Sequence, residues 1–494
     1  MSSYRDLRMG AVVGMLWTGG GQVFRNVMSL TTSVVLARLL TPDDFGLFAL
    51  TVLSVEFAQM FATAGFGASI VQRQNADPAM LSTLYWTNIG AALLCAVLVA
   101  AAALPLAHYF RQPQLTPVLV LASLGVIISG ATTVPYALLN MNMRFRDITM
   151  AQTVGSLSGA VGAIALALAG AGVWALAAQP LIGSTVALAE ITRRSGWWPK
   201  AIYQWDTVRQ MMQFSTQLLA ANFFGFLNRS AWAAIIGRTL GTQQIGLFNL
   251  GQQIVFAPIV QFSSVVMRVL FPTLAKLNDQ PEQLRHVWLR AVGTVGFLTF
   301  PILAGLEATL PDFVPWVLGP QWLEVVPVLQ VLCVVAMLQS VGTLAGSVLL
   351  SGGHGSAMMR ISITALVVMV VSLLIGQHWG LEGVTWGFAI GSVFTQLQQL
   401  KLALHHTQLS LTQFLRVLLP TAGCTLLAFS VAVGLRLSLP NWPQHLRLGI
   451  CLLAGTLVYL VATWLFNRGP VIFLLSALRG IQPAANPISN KSAS

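Results

Sequence analysis

Apolar residues run through this chain in long blocks, broken by short polar stretches. About 20 mostly apolar residues let a helix cross the hydrocarbon core of a bilayer. Blocks of that kind lie near 9–37, 46–67, 82–107, 115–140, 148–169, 173–192, 209–236, 244–272, 286–307, 321–350, 358–377, 381–403, 412–435 and 446–467. Strands of a membrane barrel would alternate polar and apolar residues in segments of about ten. These blocks do not alternate. The pattern predicts an all-α polytopic membrane protein of about 14 transmembrane helices. Turn chemistry separates the blocks, as in Thr41-Pro42-Asp43-Asp44, Gly170-Ala171-Gly172, Gly241-Thr242-Gln243-Gln244 and Gly352-Gly353-His354-Gly355. The connections are short, so no sizeable extramembrane domain is expected. After the polar, basic stretch 1–8 the apolar run is too long for a cleavable signal peptide.

Polar residues inside the blocks recur at helical spacing. The first block carries Thr18, Gln22, Arg25, Ser29 and Thr32; the second carries Glu56, Gln59 and Thr63. In the seventh, Ser215, Asn222 and Arg229 recur, and in the eighth Gln253, Gln261, Ser264 and Arg268 do. Each set shares one helix face. Charge at membrane depth is costly and normally faces the bundle interior or a watery cavity. The four stripes therefore predict one central hydrated cavity between two halves of the molecule. An arginine there suits an anion, because its planar fork donates paired hydrogen bonds and stays charged. Arg25 and Arg229 are the leading candidates for binding an anionic headgroup, with Gln22, Asn222 and Gln253 beside them. Arg268 lies nearer the cytoplasmic end, where its stem can snorkel. Glu56 is the acid well inside a block. Its protonation would couple transport to an ion gradient; a fixed pair with Arg25 is the structural alternative.

Composition agrees with the pattern. Hydrophobic residues make up 56% of the 494 and charged ones 8%, with mean hydropathy +0.75, whereas a soluble domain carries roughly a quarter charged residues. The net charge of +12 reads as topology and not as a nucleic-acid footprint. With both termini cytoplasmic, most Lys and Arg fall on the inside, among them Arg73, Arg144, Arg146, Arg193, Arg194, Lys200, Lys276, Arg285 and Arg479. Arg38, Arg111, Arg238, Arg436 and Arg447 fall outside. Cys95, Cys333, Cys424 and Cys451 lie in apolar blocks without CxxC spacing and read as small buried hydrophobes. Trp17, Trp86, Trp174, Trp197, Trp198, Trp316 and Trp322 near block ends read as an aromatic belt. His354 sits on a tight turn with no partner in view, so no metal is expected. There is no P-loop, HExxH or nucleophile elbow, which argues against a catalyst.

The chain also repeats itself. VLARLLTPDDFGLFAL at 35–50 aligns without a gap with IIGRTLGTQQIGLFNL at 235–250. Arg38 matches Arg238, which marks these as helix-end anchors or loop ties, and Gly46-Leu47-Phe48 matches Gly246-Leu247-Phe248. Weaker pairs follow in order, such as Gly172-Val173 with Gly383-Val384. The expected organisation is two pseudo-symmetric six-helix lobes, 1–200 and 201–408, then two further helices over 409–470 and a polar cytoplasmic tail, 471–494. Paired halves of this kind rock around a central site in transporters.

LARLLTPDDFGLFAL followed by GFGASIVQR, together with NRSAWAAIIGRTLGTQQIGLFNLGQQIVFAPI, VLFPTLAKL and VLGPQW, resembles the bacterial polysaccharide flippases. These are the Wzx-type, polysaccharide-transporter branch of the MOP superfamily. The resemblance spans about residues 10 to 400. It implies a MOP/MATE-like fold in the bacterial inner membrane. The implied activity is turnover of an undecaprenyl-diphosphate-linked oligosaccharide from the cytoplasmic to the periplasmic leaflet, for exopolysaccharide, capsule or O-antigen assembly. No cofactor is implied; an H+ or Na+ gradient is the expected drive, and a polymerase and a chain-length regulator are the expected partners. Related sequences often carry an acid a few positions before the IGR at 236–238, where this chain has Trp232, which puts ion coupling through that position in doubt. A small-cation exporter of the same superfamily would need buried carboxylates, and a membrane glycan polymerase a large periplasmic loop; the sequence favours neither.

Overall fold

The computed structural model describes residues 2–63, 77–256, 259, 277 and 280–469, with side chains described at all of these but 2–16, 63, 206–207, 210–222 and 224. No strand occurs among the described residues. The helices are α1 (Ser2–Leu39), α2 (Pro42–Thr63), α3 (Pro78–Phe110), α4 (Leu115–Met141), α5 (Phe145–Leu168), α6 (Val173–Ser195) and α7 (Trp205–Thr239). They continue with α8 (242–256), α9 (Pro281–Phe313), α10 (Val326–Ser351), α11 (Gly355–Gly376), α12 (Gly380–Thr407), α13 (Leu411–Ser438) and α14 (Gln444–Phe466). A π turn over Val314–Leu318 and a 3-10 turn over Pro320–Val325 link α9 to α10. Ten stretches among the described residues are long and apolar enough to cross a membrane, one of which, Gly355–Thr407, holds both α11 and α12. The chain is a multi-pass helical membrane protein. α1 and α7, whose apolar runs are interrupted by Arg25 and Arg229, are not among the ten.

The chain divides into two compact units: Met1–Ile254 with Val317–Val328 and Ser362–Gly391, and Val255–Trp316 with Leu329–Ile361 and Ser392–Ser494. In the first, α5 and α6 pack through small residues. A Cβ on Gly155 would come within 2.5 Å of the Gly183 carbonyl oxygen, and one on Gly159 within 2.5 Å of that of Gln179. Small residues let membrane helices approach this closely, because packing and not water exclusion holds them together.

The aligned repeat meets itself in the same unit. A Cβ on Gly46 would fall 1.8 Å from the Thr242 carbonyl oxygen, and one on Gly246 would fall 1.9 Å from that of Pro42. The register of the repeat carries 42 onto 242 and 46 onto 246, so the two contacts exchange into one another. α2 and α8 cross at their first turns, and only glycine leaves room for the carbonyl opposite. Thr242 Oγ1 adds a 2.5 Å hydrogen bond to Asp43 Oδ1.

The end of α1 is closed from far along the chain. Helix C-termini leave carbonyls without intrahelical donors, and here the Ala37 carbonyl accepts from Trp322 Nε1 (2.8 Å) and Gln321 Nε2 (3.0 Å). Arg38 Nε donates in return to the Val317 carbonyl (2.7 Å), the loop tie expected of it. Arg238, its repeat mate, stacks over the Tyr109 ring. This corrects the reading of Trp322. It is fully buried, edge-on to Phe45, whereas Trp17, Trp86, Trp174, Trp198 and Trp316 are exposed. A buried carbonyl at a helix end requires a donor, and indole supplies one while filling the core.

In the second unit α9 is the centre. Trp288, fully buried, packs with Leu344, Val348 and Phe414. Thr299 and Ser340 hydroxyls bond at 2.9 Å, and Tyr459 Oη donates to the Phe297 carbonyl. At the far end of α9, Arg447 of α14 makes a two-pronged ion pair with buried Asp312, and Arg436 of α13 donates to the Ala308 carbonyl. These bonds fix α13 and α14 to α9. Cys333, Cys424 and Cys451 are buried and all four cysteines are free.

Candidate functional site

A polar cavity of about 600 Å³ lies within the first unit. α1 gives it Gln22, Arg25, Ser29 and Thr32, four of the five residues of the predicted stripe, and Ser33; Thr18 is not in the lining. α2 contributes Phe45 and Phe48, α5 Gln152 and Ser156, α6 Gln179 and Ser184, and α8 Asn249 and Gln253. Gln253 Nε2 donates to Ser33 Oγ at 2.8 Å, tying α8 to α1 along the cavity wall. The close contact of α5 with α6 brings Gln152 and Gln179 to one rim.

Arg25 is the charged group of this lining, which holds no carboxylate. Its Nη2 donates to Gln22 Oε1 at 2.5 Å, and Gln22 Nε2 donates on to Asn26 Oδ1 at 2.9 Å. Its Nη1 is buried and has no partner. A buried donor left unsatisfied costs about 1–3 kcal/mol, so this half of the fork is poised for an acceptor. Amides and hydroxyls around a single guanidinium suit a hydroxyl-rich, anionic ligand. The volume falls in the range of roughly 300–1,000 Å³ usual for ligand sites.

Of the residues singled out from sequence, Gln22, Arg25 and Gln253 come together here. Arg229 does not line this cavity; it is exposed on α7, in electrostatic reach of Glu56 on α2, which is itself exposed. Glu56 makes no ion pair with Arg25 or with Arg229 among the described residues. The side chain of Asn222, and Arg268 altogether, lie outside the described residues. This cavity is walled by α1, α2, α5, α6 and α8, whereas much of the expected stripes on the second, seventh and eighth helices, the side chains of Thr63 and Ser215 with Gln261 and Ser264, lies outside the described residues. Spacing shows which residues share a face of one helix; it does not name the neighbour that face meets. Gln152 with Ser156 and Asn249 with Gln253 are i, i+4 pairs that the same criterion would have found. Gln179 gives no such signal. Among the described residues no three His, Cys, Asp or Glu side chains gather as a metal site.

A membrane bundle with a cationic, amide-lined cavity has the architecture of a transporter. The backbone is similar to that of the lipid II flippase MurJ in its inward closed conformation, with TM-score 0.76, 13% identity, and 92% of this chain and 100% of that one covered. The chain belongs to the polysaccharide biosynthesis protein family, whose model matches residues 35–327, more than half of its length. It is 28% identical to the lipopolysaccharide biosynthesis protein WzxC of Escherichia coli (strain K12), over 79% of this chain and 80% of that one. It is 26% identical to the teichuronic acid biosynthesis protein TuaB of Bacillus subtilis (strain 168), over 90% and 94%.

Proposed function

We propose that the protein is a flippase in a bacterial inner membrane, with both termini cytoplasmic. It carries an undecaprenyl-diphosphate-linked oligosaccharide from the cytoplasmic to the periplasmic leaflet for surface polysaccharide assembly. The unpartnered, buried Nη1 of Arg25 in an amide-lined cavity is the observation that carries this reading. In it, Arg25 receives a phosphate oxygen of the headgroup, and Gln22, Gln152, Gln179 and Gln253 receive hydroxyls. The polyprenyl tail stays in lipid while alternating access exposes the headgroup to either side. An H+ or Na+ gradient drives the cycle, with Glu56 as the coupling carboxylate. A polymerase and a chain-length regulator act on the delivered unit. A small-cation exporter would need carboxylates where this lining has none.

The test is complementation of a deletion strain with wild type, Arg25→Ala and Arg25→Lys at matched membrane levels. Surface polymer and lipid-linked intermediate are both measured. Arg25→Ala is expected to lose polymer and trap the intermediate facing the cytoplasm, with Lys restoring part of the loss. Normal polymer and intermediate in the deletion strain itself would overturn the flippase reading.

A further inference from the structure

His354 gains from the structure the partner that its sequence context does not show. α10 ends at Ser351 and the chain turns through Gly352 and Gly353 into α11. His354 closes that turn, its N–H donating to the Leu349 carbonyl and its own carbonyl accepting from Ala357 and Met358. Against it stands His406, in the last turn of α12. The next carbonyl, of Thr407, is held by Arg285 Nε at 2.6 Å. Both imidazoles are thus borne on fixed backbone, with ring centroids 4.5 Å apart and planes at 66°.

Two further observations concern the nitrogens. His354 Nδ1 and His406 Nε2 are both buried and both without a hydrogen-bond partner. They also front one space: the point where a Cβ on Gly352 would stand lies 2.7 Å from His406 Nε2 and 3.1 Å from His354 Nδ1. Gly352 does not have the positive φ that Gly353 has (76°), so its backbone tolerates any residue. What the glycine provides is the gap between two unsatisfied nitrogens. Buried polar atoms almost always find a partner, and two converging neutral imidazoles are the donor set of a borderline divalent transition ion. Hard ions such as Mg2+ and Ca2+ take oxygen ligands instead.

We propose that His354 and His406 form a two-imidazole site for a borderline divalent transition-metal ion, Zn2+, Ni2+ or Cu2+. The ion clips the α10–α11 turn to the end of α12, and water completes its shell. Neither histidine takes part in the headgroup cavity, so the site stands or falls apart from the flippase reading.

The full-length protein, purified in detergent with a histidine-free affinity tag and stripped by chelator, is titrated with Cu2+ and followed by electron paramagnetic resonance. One ion per chain with two coordinated imidazole nitrogens is expected. His354→Ala and His406→Ala should each bind at least about tenfold more weakly, the low end of what even a supporting partner is worth to a metal site. Gly352→Ala keeps both histidines but fills the gap and should weaken binding likewise, while the adjacent His405→Ala should not. Zn2+ should raise the melting temperature of wild type and not of the His354→Ala,His406→Ala variant, with gel-filtration profiles checking the fold. Equal Cu2+ binding by wild type and the double variant, or a single-imidazole signal in wild type, overturns the proposal.

Discussion

Arg25 spends one nitrogen of its fork on Gln22 and leaves the other buried and open. Gln22 therefore orients the guanidinium as well as lining the cavity. Gln22→Leu is expected to reduce polymer output in the complementation assay less than Arg25→Ala does, because the charge survives without its alignment. Glu56→Gln tests coupling. If this carboxyl carries the driving proton, flipping in vesicles loses its stimulation by an imposed pH gradient while substrate binding persists; an unchanged gradient response removes Glu56 from the mechanism. Trp322→Phe keeps the ring beside Phe45 and removes the donor to the Ala37 carbonyl. The carbonyl keeps its second donor, Gln321, so the expected loss is about 1 kcal/mol, the usual net contribution of one hydrogen bond, read as a lowered melting temperature. At this scale the sequence placed Arg25 and Gln22 on one helix face, since a charge in an apolar run has few places to go, and both line one cavity. It misassigned Trp322, because position at a block end fits an interfacial indole and a buried one equally.

Among the elements, α9 with α13 and α14 offers an asymmetric test. Asp312 is almost wholly buried and relies on Arg447, whereas Arg447 also reaches the Pro440 carbonyl at 3.0 Å. Removing one partner of a buried pair costs about 3–5 kcal/mol when the other is left uncompensated. Arg447→Ala is expected in that range, and Asp312→Ala below it, since the arginine keeps an acceptor. Thermal denaturation of both variants and of the double variant decides the order. Helix positions were legible in the sequence because each apolar block is long and its ends carry turn residues. The partners of each helix were not. Periodicity grouped Gln253 with Arg25, which line one cavity, but gave no sign that α5 and α6 would close its wall. That information lies in the glycines of the α5–α6 contact, which become meaningful only once the two helices are known to touch.

For the whole molecule, the distribution of basic residues predicts one orientation for every helix at once. Arg144, Asp147, Glu190, Arg193 and Arg194 form a connected set of ion pairs at the start of α5 and the end of α6, on the side expected to be cytoplasmic. The loop before α4 should then face the periplasm. In a cysteine-free background, Gln114→Cys should react with an impermeant maleimide in intact spheroplasts, and Asn142→Cys only after permeabilisation. The reverse pattern would invert the topology and with it the direction of transport.

The reciprocal fit of Gly46 and Gly246 bears on ancestry. Each copy of the repeat carries both the bare spot and the carbonyl that presses into it, so the surface is complementary to itself. Such a surface is the hallmark of a symmetric dimer. Two identical chains, each holding one copy, could meet through the same pair of contacts that here lie within one chain. Enlarging either glycine then breaks one half of a pair whose other half survives, so Gly46→Ala and Gly246→Ala should damage the fold to a like degree.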